Sequence, residues 1–249
     1  MSEARPNAES SISPPSSNPV LAWLQLDGVK FRETTPFFEA FNSELLRAGL
    51  DIWRTTTGVP ILHPQIHSVS CLWEKGKAVS ERRFRLDGGG RDALRNSPMA
   101  IVYAGGFVRC RLEAPPEPGE FPILAELRAD GITDYVAWPL PFTDGTWKAV
   151  TYATRRRGGF PPGQIRLLDE LVPTLSRLLE IQALRRTTLT LLDTYVGPAA
   201  GRRVLDGAIK RGMCETVRAV IWMCDGFRWC RRRSHRASRR AGAARSDSR

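Results

Sequence analysis

Two histidines have the spacing of a metal site. His63 and His67 lie four residues apart, a separation that places two ligands on one face of a helix. Pro64 and the strand-like residues around the pair disfavour a helix, and no third ligand follows at a fixed spacing. We therefore expect structural histidines. The chain also lacks G-x-S-x-G, a phosphate-binding P-loop and H-E-x-x-H.

The cysteines indicate a reducing environment. They are odd in number, scattered and without a C-x-x-C pair, which predicts small reduced core residues and neither a disulfide framework nor a zinc site. The five are Cys71, Cys110, Cys214, Cys224 and Cys230.

Aromatic side chains suggest a small-molecule pocket. Six of them could line a cavity or could equally be core residues, and no Cys has a context that predicts attachment of haem, flavin or bilin. The six are Trp53, Trp73, Tyr103, Tyr135, Trp138 and Trp147. Three consecutive arginines, 155–157, predict a solvated loop or a contact with an anion or partner.

A carboxylate follows an apolar segment near the end of the chain. Residues 217–224 have the composition of a buried strand, and Asp225 comes directly after them. Such an Asp is an oxygen ligand of the kind that Mg²⁺ or Mn²⁺ prefers, although a strand-capping Asp is usually a turn residue.

The order of the elements predicts an α+β fold. A helix begins near Pro36 and ends at Gly49, several strands follow with a hairpin turn at residues 74–77, and a helix over 121–129 precedes two more strands. Short turns join the strands, so we expect a mostly antiparallel sheet with packed helices, the layout of a GAF-like sensor domain. A further short helix is predicted over residues 91–96.

A long helix is predicted from Gly163 to about Val196. Apolar residues fall on two heptad positions, which indicates either a dimerising signalling helix or one buried face of a domain helix. Pro173 predicts a kink or the true start of the helix. The predicted seam consists of Leu168, Leu171, Leu175, Leu178, Gln182, Arg185, Leu189, Leu192 and Val196.

Composition sets the domain organisation. We predict a disordered N-terminus over 1–18, a GAF-like sensor domain over 19–162, the signalling helix over 163–197, a separate segment over 198–225 and a disordered Arg-rich tail over 226–249. The tail holds nine Arg and one Asp, and so supplies +8 of the net charge of +11. With no signal peptide and no apolar run that could span a membrane, we expect a cytoplasmic protein.

Four stretches carry a family resemblance. The first joins Trp23 to the helix that ends at residues 46–50, and the second joins residues 62–64 to Trp73. The third covers 121–122, 126–127, 131–135 and 139–140, and the fourth, the most specific, covers 185–186, 191–197, 201–205 and 209–212. Together they resemble the N-terminal region of bacterial class III adenylate or guanylate cyclases, in which a GAF-like domain precedes the catalytic domain.

The resemblance implies specific chemistry for an intact parent protein. Residues 198–225 would begin the cyclase domain, and Asp225 would be the first of two Asp ligands for two Mg²⁺ or Mn²⁺ ions on the nucleotide triphosphate. The ions would assist attack of the ribose 3′-oxygen on the α-phosphorus of ATP or GTP, with release of pyrophosphate. The other catalytic residues of the family would lie downstream and have no counterpart in this chain.

The chain departs from the family directly after Asp225. Only Gly226 and Phe227 match the expected turn, and the Arg-, Ser- and Ala-rich remainder has the composition of an out-of-frame translation of a GC-rich gene. We therefore expect a regulatory front part of a cyclase that is inactive alone and holds no cofactor. Two alternatives stay open: a stand-alone GAF-like ligand-sensing protein, and a nucleic-acid-binding protein acting through residues 228–240. A homodimer through residues 163–197 is expected.

Overall fold

The structure is a computed structural model that describes residues 18–60, 66–85, 95–205 and 207. Its helices are α1 (Pro19–Leu26), α2 (Thr34–Arg47), α3 (Met99–Val102), α4 (Pro122–Ala129), α5 (Pro162–Tyr195) and α6 (Pro198–Leu205), with a 3₁₀ turn at Gly28–Lys30. Its strands are β1 (Arg54–Pro60), β2 (Ile66–Glu74), β3 (Ser80–Arg85), β4 (Val108–Arg111), β5 (Asp134–Pro141) and β6 (Trp147–Thr154).

The strands form one antiparallel sheet in the order β3-β2-β1-β6-β5-β4. In its centre Thr55 of β1 lies opposite Trp73 of β2 and Tyr152 of β6. Because side chains alternate along a strand, these three point to one face and their neighbours Thr56 and Thr151 to the other. The predicted α+β fold with a mostly antiparallel sheet is therefore confirmed.

Helices α1, α2 and α5 cover the first face, which we call the terminal-helix face. Four residues of α2, Phe37, Phe38, Phe41 and Leu45, are completely buried there. Their spacing of one, three and four residues places them on one side of the helix, as the sequence predicts. Gly49 has a φ of +81°, so α2 ends where a left-handed residue is needed.

Helices α3 and α4 cover part of the second face, which we call the short-helix face. Val102 of α3 and Leu124 and Leu127 of α4 pack there with Tyr135 and Ala137 of β5. The sheet thus separates two hydrophobic clusters, one for the helices near the chain ends and one for the two short helices.

Helix α5 is continuous over 34 residues although Pro173 lies inside it. Five positions of the predicted seam are buried within the chain's own domain, namely Leu168, Leu171, Leu175, Leu178 and Gln182. This corrects the coiled-coil interpretation of that seam, because these side chains already pack on the terminal-helix face. The alternative interpretation, in which one face of the helix is buried within its own domain, applies to α5 from Leu168 to Gln182. At its end Gly197, with a φ of +90°, donates to the Leu192 carbonyl, and α6 begins at the next residue.

Some further predictions can be compared with the structure, and others concern residues that it does not describe. Asn18 is not part of a disordered terminus: its side-chain oxygen caps α1 by accepting from the backbone N–H groups of Val20 and Leu21. The short helix α3, between β3 and β4, was not predicted from the sequence, and Arg95, within the predicted 91–96 helix, is helical. Residues 1–17, most of the predicted 91–96 helix, the tail, His63 and Asp225 lie outside the described residues. Within the described part of the chain, no helix has the length and hydrophobicity needed to cross a bilayer.

Candidate functional site

The sheet divides the six predicted pocket aromatics between its two faces. Trp73 and Trp138 belong to the cluster on the terminal-helix face. The Trp138 indole N–H donates to the Asp169 carboxylate of α5 at 2.9 Å, and its ring meets the Tyr152 ring edge-on with centroids 5.8 Å apart. Both tryptophans are core residues on the face of the sheet opposite to Tyr135, so they cannot share a pocket with it.

Tyr135 lies in the middle of the short-helix face. Its side chain is buried, and burial raises the pKa of its phenol above the ordinary value, while a hydrogen bond with Thr151 acts in the opposite direction. The Thr151 hydroxyl lies 2.6 Å from the hydroxyl of Thr56 on the neighbouring strand. The three hydroxyl groups therefore form a connected polar line across β5, β6 and β1.

Tyr103, which directly follows α3, has its hydroxyl group near Gly58 of β1. Its hydroxyl oxygen lies 3.5 Å from the point that a Cβ on Gly58 would occupy. Burial raises the pKa of the Tyr103 phenol, although 39% of the whole residue is exposed, so its hydroxyl end is turned inward. Tyr103 thus stands at the edge of the short-helix face above β1.

Small side chains make up the floor beside Tyr103. Gly58 of β1 lies opposite Ser70 of β2, and Thr56 lies opposite Leu72. All four residues are half-buried. We define the sensor floor as Thr56, Gly58, Ser70, Leu72 and Thr151, together with Tyr103 and Tyr135 beside it.

The other two aromatics lie at opposite ends of this face. Trp147, at the start of β6, lies against the loop after α3, where a Cβ on Gly105 would come within 3.0 Å of its ring. Trp53, just before β1, is covered by Arg155, whose guanidinium carbon lies 3.6 Å from the centroid of the Trp53 ring. Neither Trp147 nor Trp53 belongs to the sensor floor. Of the six predicted aromatics, the floor therefore includes Tyr103 and Tyr135.

The loop between β6 and α5 is held in place by a buried ion pair. Asp134 is completely buried and accepts from the Arg109 Nη2 at 2.7 Å and from the backbone N–H of Phe160 at 2.9 Å. Of the three predicted loop arginines, Arg155 stacks on Trp53 and Arg156 donates to the Gly159 carbonyl.

The sensor floor offers hydroxyl groups and aromatic surface, which suit noncovalent binding of a small polar ring or chain. Within the described ranges, no cluster of three or more His, Cys, Asp or Glu side chains could hold a metal ion. Thr56, Gly58, Ser70, Leu72 and Thr151 were not predicted from the sequence. The alternation of side chains along residues 54–58 could have predicted that Thr56 and Gly58 share one face of the sheet. It could not have predicted the strand register that places Gly58 opposite Ser70.

A scan against family models gives no match, and a search of curated proteins gives none either. Solved structures with a similar arrangement include the GAF domain of a two-component sensor histidine kinase from Bacillus halodurans, with 10% identity over 61% of this chain and 98% of that chain, and a TM-score of 0.44. A phycoerythrobilin-bound GAF domain from a cyanobacterial phytochrome has 14% identity over 67% of this chain and 95% of that chain, with a TM-score of 0.45. Escherichia coli SdiA has 12% identity over 67% of each chain and a TM-score of 0.42.

The order of its elements, with one antiparallel sheet between the terminal helices and two short helices, gives this chain a GAF-like α+β fold.

Proposed function

We propose that this chain is a ligand-sensing regulatory module whose small-molecule ligand binds on the sensor floor. The observation that carries the proposal is that Thr56, Gly58 and Ser70, which are small or carry a hydroxyl, are half-buried beside the Tyr103 hydroxyl. That hydroxyl lies 3.5 Å from the position of a Cβ on Gly58. A pure packing role would favour larger apolar side chains at Gly58, Ser70 and Thr56, because these fill a sheet-to-helix interface better.

The sensor floor is connected to α5 by a short and well-bonded segment. Thr151 is three residues before the end of β6, and the loop that follows β6 leads directly into α5. Thr133 and Asp134 hold this loop through hydrogen bonds to Arg156 and Phe160. A ligand that displaces β6 therefore acts on the start of α5 through covalent and hydrogen-bonded links.

The ligand chemistry follows from the donors and acceptors present. Tyr103, Thr56, Thr151 and Ser70 each offer a hydroxyl that can donate or accept. None of the residues that define the sensor floor is charged, although Arg82 of β3, which lies opposite Ser70, borders the floor at one edge. We therefore propose an uncharged or weakly charged ring compound with hydroxyl or carbonyl groups, such as a phenol, an indole or a nucleoside.

A thermal-shift panel of phenols, indoles and nucleosides tests this function. Gly58→Leu fills the floor beside Tyr103 and should abolish any ligand-induced rise in Tm. Gly163→Leu is the matched control, because Gly163 has no heavy atom within 4 Å of its Cβ position and no left-handed φ. Failure of the whole panel to raise the Tm of the wild-type chain, or equal rises in both variants, would contradict the proposal.

A second candidate function is regulation of a class III cyclase of which this chain is the front part. Its support is the sequence resemblance, strongest over residues that include the end of α5 and α6. Asp225, the residue that would hold Mg²⁺ or Mn²⁺ in an intact parent, lies outside the described residues. This candidate function is therefore regulatory and assigns no catalytic step to the chain.

Two measurements test the cyclase candidate. The nucleotide sequence after the Asp225 codon should contain a cyclase domain in another reading frame, and its absence in all three frames would contradict this origin. The purified chain with ATP or GTP and Mg²⁺ or Mn²⁺ should form no cyclic nucleotide above a control without enzyme.

A further inference from the structure

Arg54 is the first residue of β1 and lies on the same face of the sheet as the sensor floor. Because side chains alternate along a strand, Arg54, Thr56 and Gly58 all belong to the short-helix face. Arg54 is half-buried, whereas Arg82, the arginine at another edge of the floor, is exposed. Arg54 is therefore a partly desolvated cation at the end of the floor away from the Tyr103 hydroxyl.

No carboxylate in the described part of the chain forms an ion pair with Arg54, and its guanidinium has no hydrogen-bond partner there. Glu74 lies opposite Arg54 on β2, but it accepts from the Lys77 Nζ at 2.8 Å. That hydrogen bond, more than the charge of Arg54, lowers the pKa of the Glu74 carboxyl. On the other side Arg54 lies opposite Ala153 of β6, which has no polar side chain. The N–H donors of Arg54 are therefore available to a ligand.

The charge of Arg54 reaches the polar line of the sensor floor. In the sheet, Ala153 lies between Arg54 on one neighbouring strand and Tyr135 on the other. Burial raises the pKa of the Tyr135 phenol, and the positive charge of Arg54 acts in the opposite direction. The guanidinium thus lies near the end of the line that Tyr135, Thr151 and Thr56 form.

A cation beside hydroxyl groups suits an acidic group of a ligand. The planar guanidinium presents paired N–H donors whose geometry matches a carboxylate. The nearby negative charge of Glu74 favours a group with one charge over a doubly charged phosphate. A carboxylate is therefore the acidic group that this end of the floor fits best.

We propose that Arg54 determines the specificity of the sensor floor by binding a single carboxylate on the ring compound. The inference rests on the proposed function, since it concerns the same floor. The ring lies on the uncharged floor, and the carboxylate extends to the start of β1. The ligand is then an aromatic carboxylic acid, which one ionised group makes a weakly charged member of the class proposed above.

The dimensions of β1 limit the size of such a ligand. Four residues separate Arg54 from Gly58, which corresponds to about 13 Å between their Cα atoms in an antiparallel strand. The side chain of Arg54 takes up part of this length at one end, and the Tyr103 hydroxyl lies at the other end, near Gly58. The remaining length suits one ring system with a short acidic substituent.

Matched acids and amides test this inference by isothermal titration calorimetry on the full chain at neutral pH. The probes are para-hydroxybenzoate and indoleacetate, each compared with its amide, which has the same ring and no charge. The wild-type chain should bind each acid more tightly than the amide. Arg54→Gln should weaken the binding of the acids about 10- to 100-fold, because hydrogen bonds to a charged group are lost, and should leave the amides unchanged. Arg54→Lys keeps the charge without the planar fork and should retain part of the preference for acids.

Arg166→Gln is the matched control, because Arg166 is an exposed arginine of α5, the helix on the terminal-helix face. It removes the same charge and should bind the acids like the wild-type chain. Equal affinities of the wild-type chain for acids and amides would overturn the role of Arg54 and leave the sensor floor as a binding site. An acid affinity that Arg54→Gln leaves unchanged would do the same.

Two further outcomes complete the test. If no acid and no amide binds to the wild-type chain, both this inference and the proposed function are contradicted. If circular dichroism shows that Arg54→Gln does not fold, Arg54→Lys and the comparison of acids with amides on the wild-type chain decide the question.

Discussion

Arg109 and Asp134 form a buried ion pair at the junction of β4, β5 and the loop before α5. The Arg109 Nη2 lies 2.7 Å from the Asp134 Oδ2 and also donates to the Phe160 carbonyl at 2.8 Å. Asp134 is completely buried, and the Arg109 side chain is 24% exposed. The pair joins the edge of the sheet to the segment that leads into the long helix.

Asp134→Asn should destabilise the chain by roughly 3 kcal/mol, because Arg109 loses its counter-ion in a mostly buried place. Urea unfolding followed by tryptophan fluorescence measures the free energy of unfolding. Asp130→Asn is the control, since Asp130 is exposed at the end of α4, and it should change stability little. Equal stabilities for the two variants would mean that the ion pair does not hold the loop.

Two adjacent glycines in this loop allow the stability cost of backbone strain to be measured separately from the cost of steric crowding. Gly158 and Gly159 have φ values of +79° and +68°, so alanine at either position costs roughly 1–2 kcal/mol for the left-handed backbone. A Cβ on Gly159 would lie 2.5 Å from the Asp134 Oδ2, whereas a Cβ on Gly158 would meet nothing within 4 Å. Gly159→Ala should therefore be clearly less stable than Gly158→Ala in the same urea titration. Similar losses of stability in the two variants would show that the loop relaxes around the extra methyl group.

The helix ends and strand pairs of this fold could be predicted from local chemistry. Gly49 and Gly131 end α2 and α4 with positive φ values, as their position after apolar helical patterns predicts. The turn between β2 and β3 follows from residues 74–77. Each of these features is determined by residues that are close together in the sequence. It can therefore be predicted from a single sequence without knowledge of the tertiary structure.

The assignment of side chains to faces could not be predicted. Trp73 and Trp138 differ from Tyr135 only in strand register, and a shift of one residue moves a side chain to the other face of the sheet. For α5, the spacing of a domain-facing stripe and that of a coiled-coil seam differ too little to be separated over a few turns. Tertiary packing decided that Leu175 faces the sheet and Leu184 faces solvent.

The Cys71 thiol should make stability depend on pH in the alkaline range. Burial, with a smaller effect from the negative charge of Glu81, raises the pKa of the Cys71 thiol to about 11 from an ordinary 9.0. The folded chain thus binds a proton that the unfolded chain loses above about pH 9, so the free energy of unfolding falls as pH rises from 9 toward 11. The expected contribution from pH 8 to 10 is on the order of 1 kcal/mol.

Comparison with Cys71→Ala isolates this effect. Tyr135 and Tyr152, whose pKa values burial also raises, contribute equally to both proteins. The difference in free energy of unfolding between wild type and variant should shrink between pH 8 and 10. A constant difference over that range would mean that the thiol titrates alike in the folded and unfolded chains.

Gln182 interrupts the buried side of α5 with an amide that has no hydrogen-bond partner among the described residues. The residue is 5% exposed, and neither its Nε2 nor its Oε1 is paired. Burying an unpaired amide costs about 1–3 kcal/mol, so Gln182→Leu should raise the free energy of unfolding by roughly 1–2 kcal/mol. Gln25→Leu, at an exposed position of α1, is the control and should have little effect. A free energy of unfolding lower than that of the wild-type chain would contradict this prediction and would show that the Gln182 amide has a partner that leucine cannot replace.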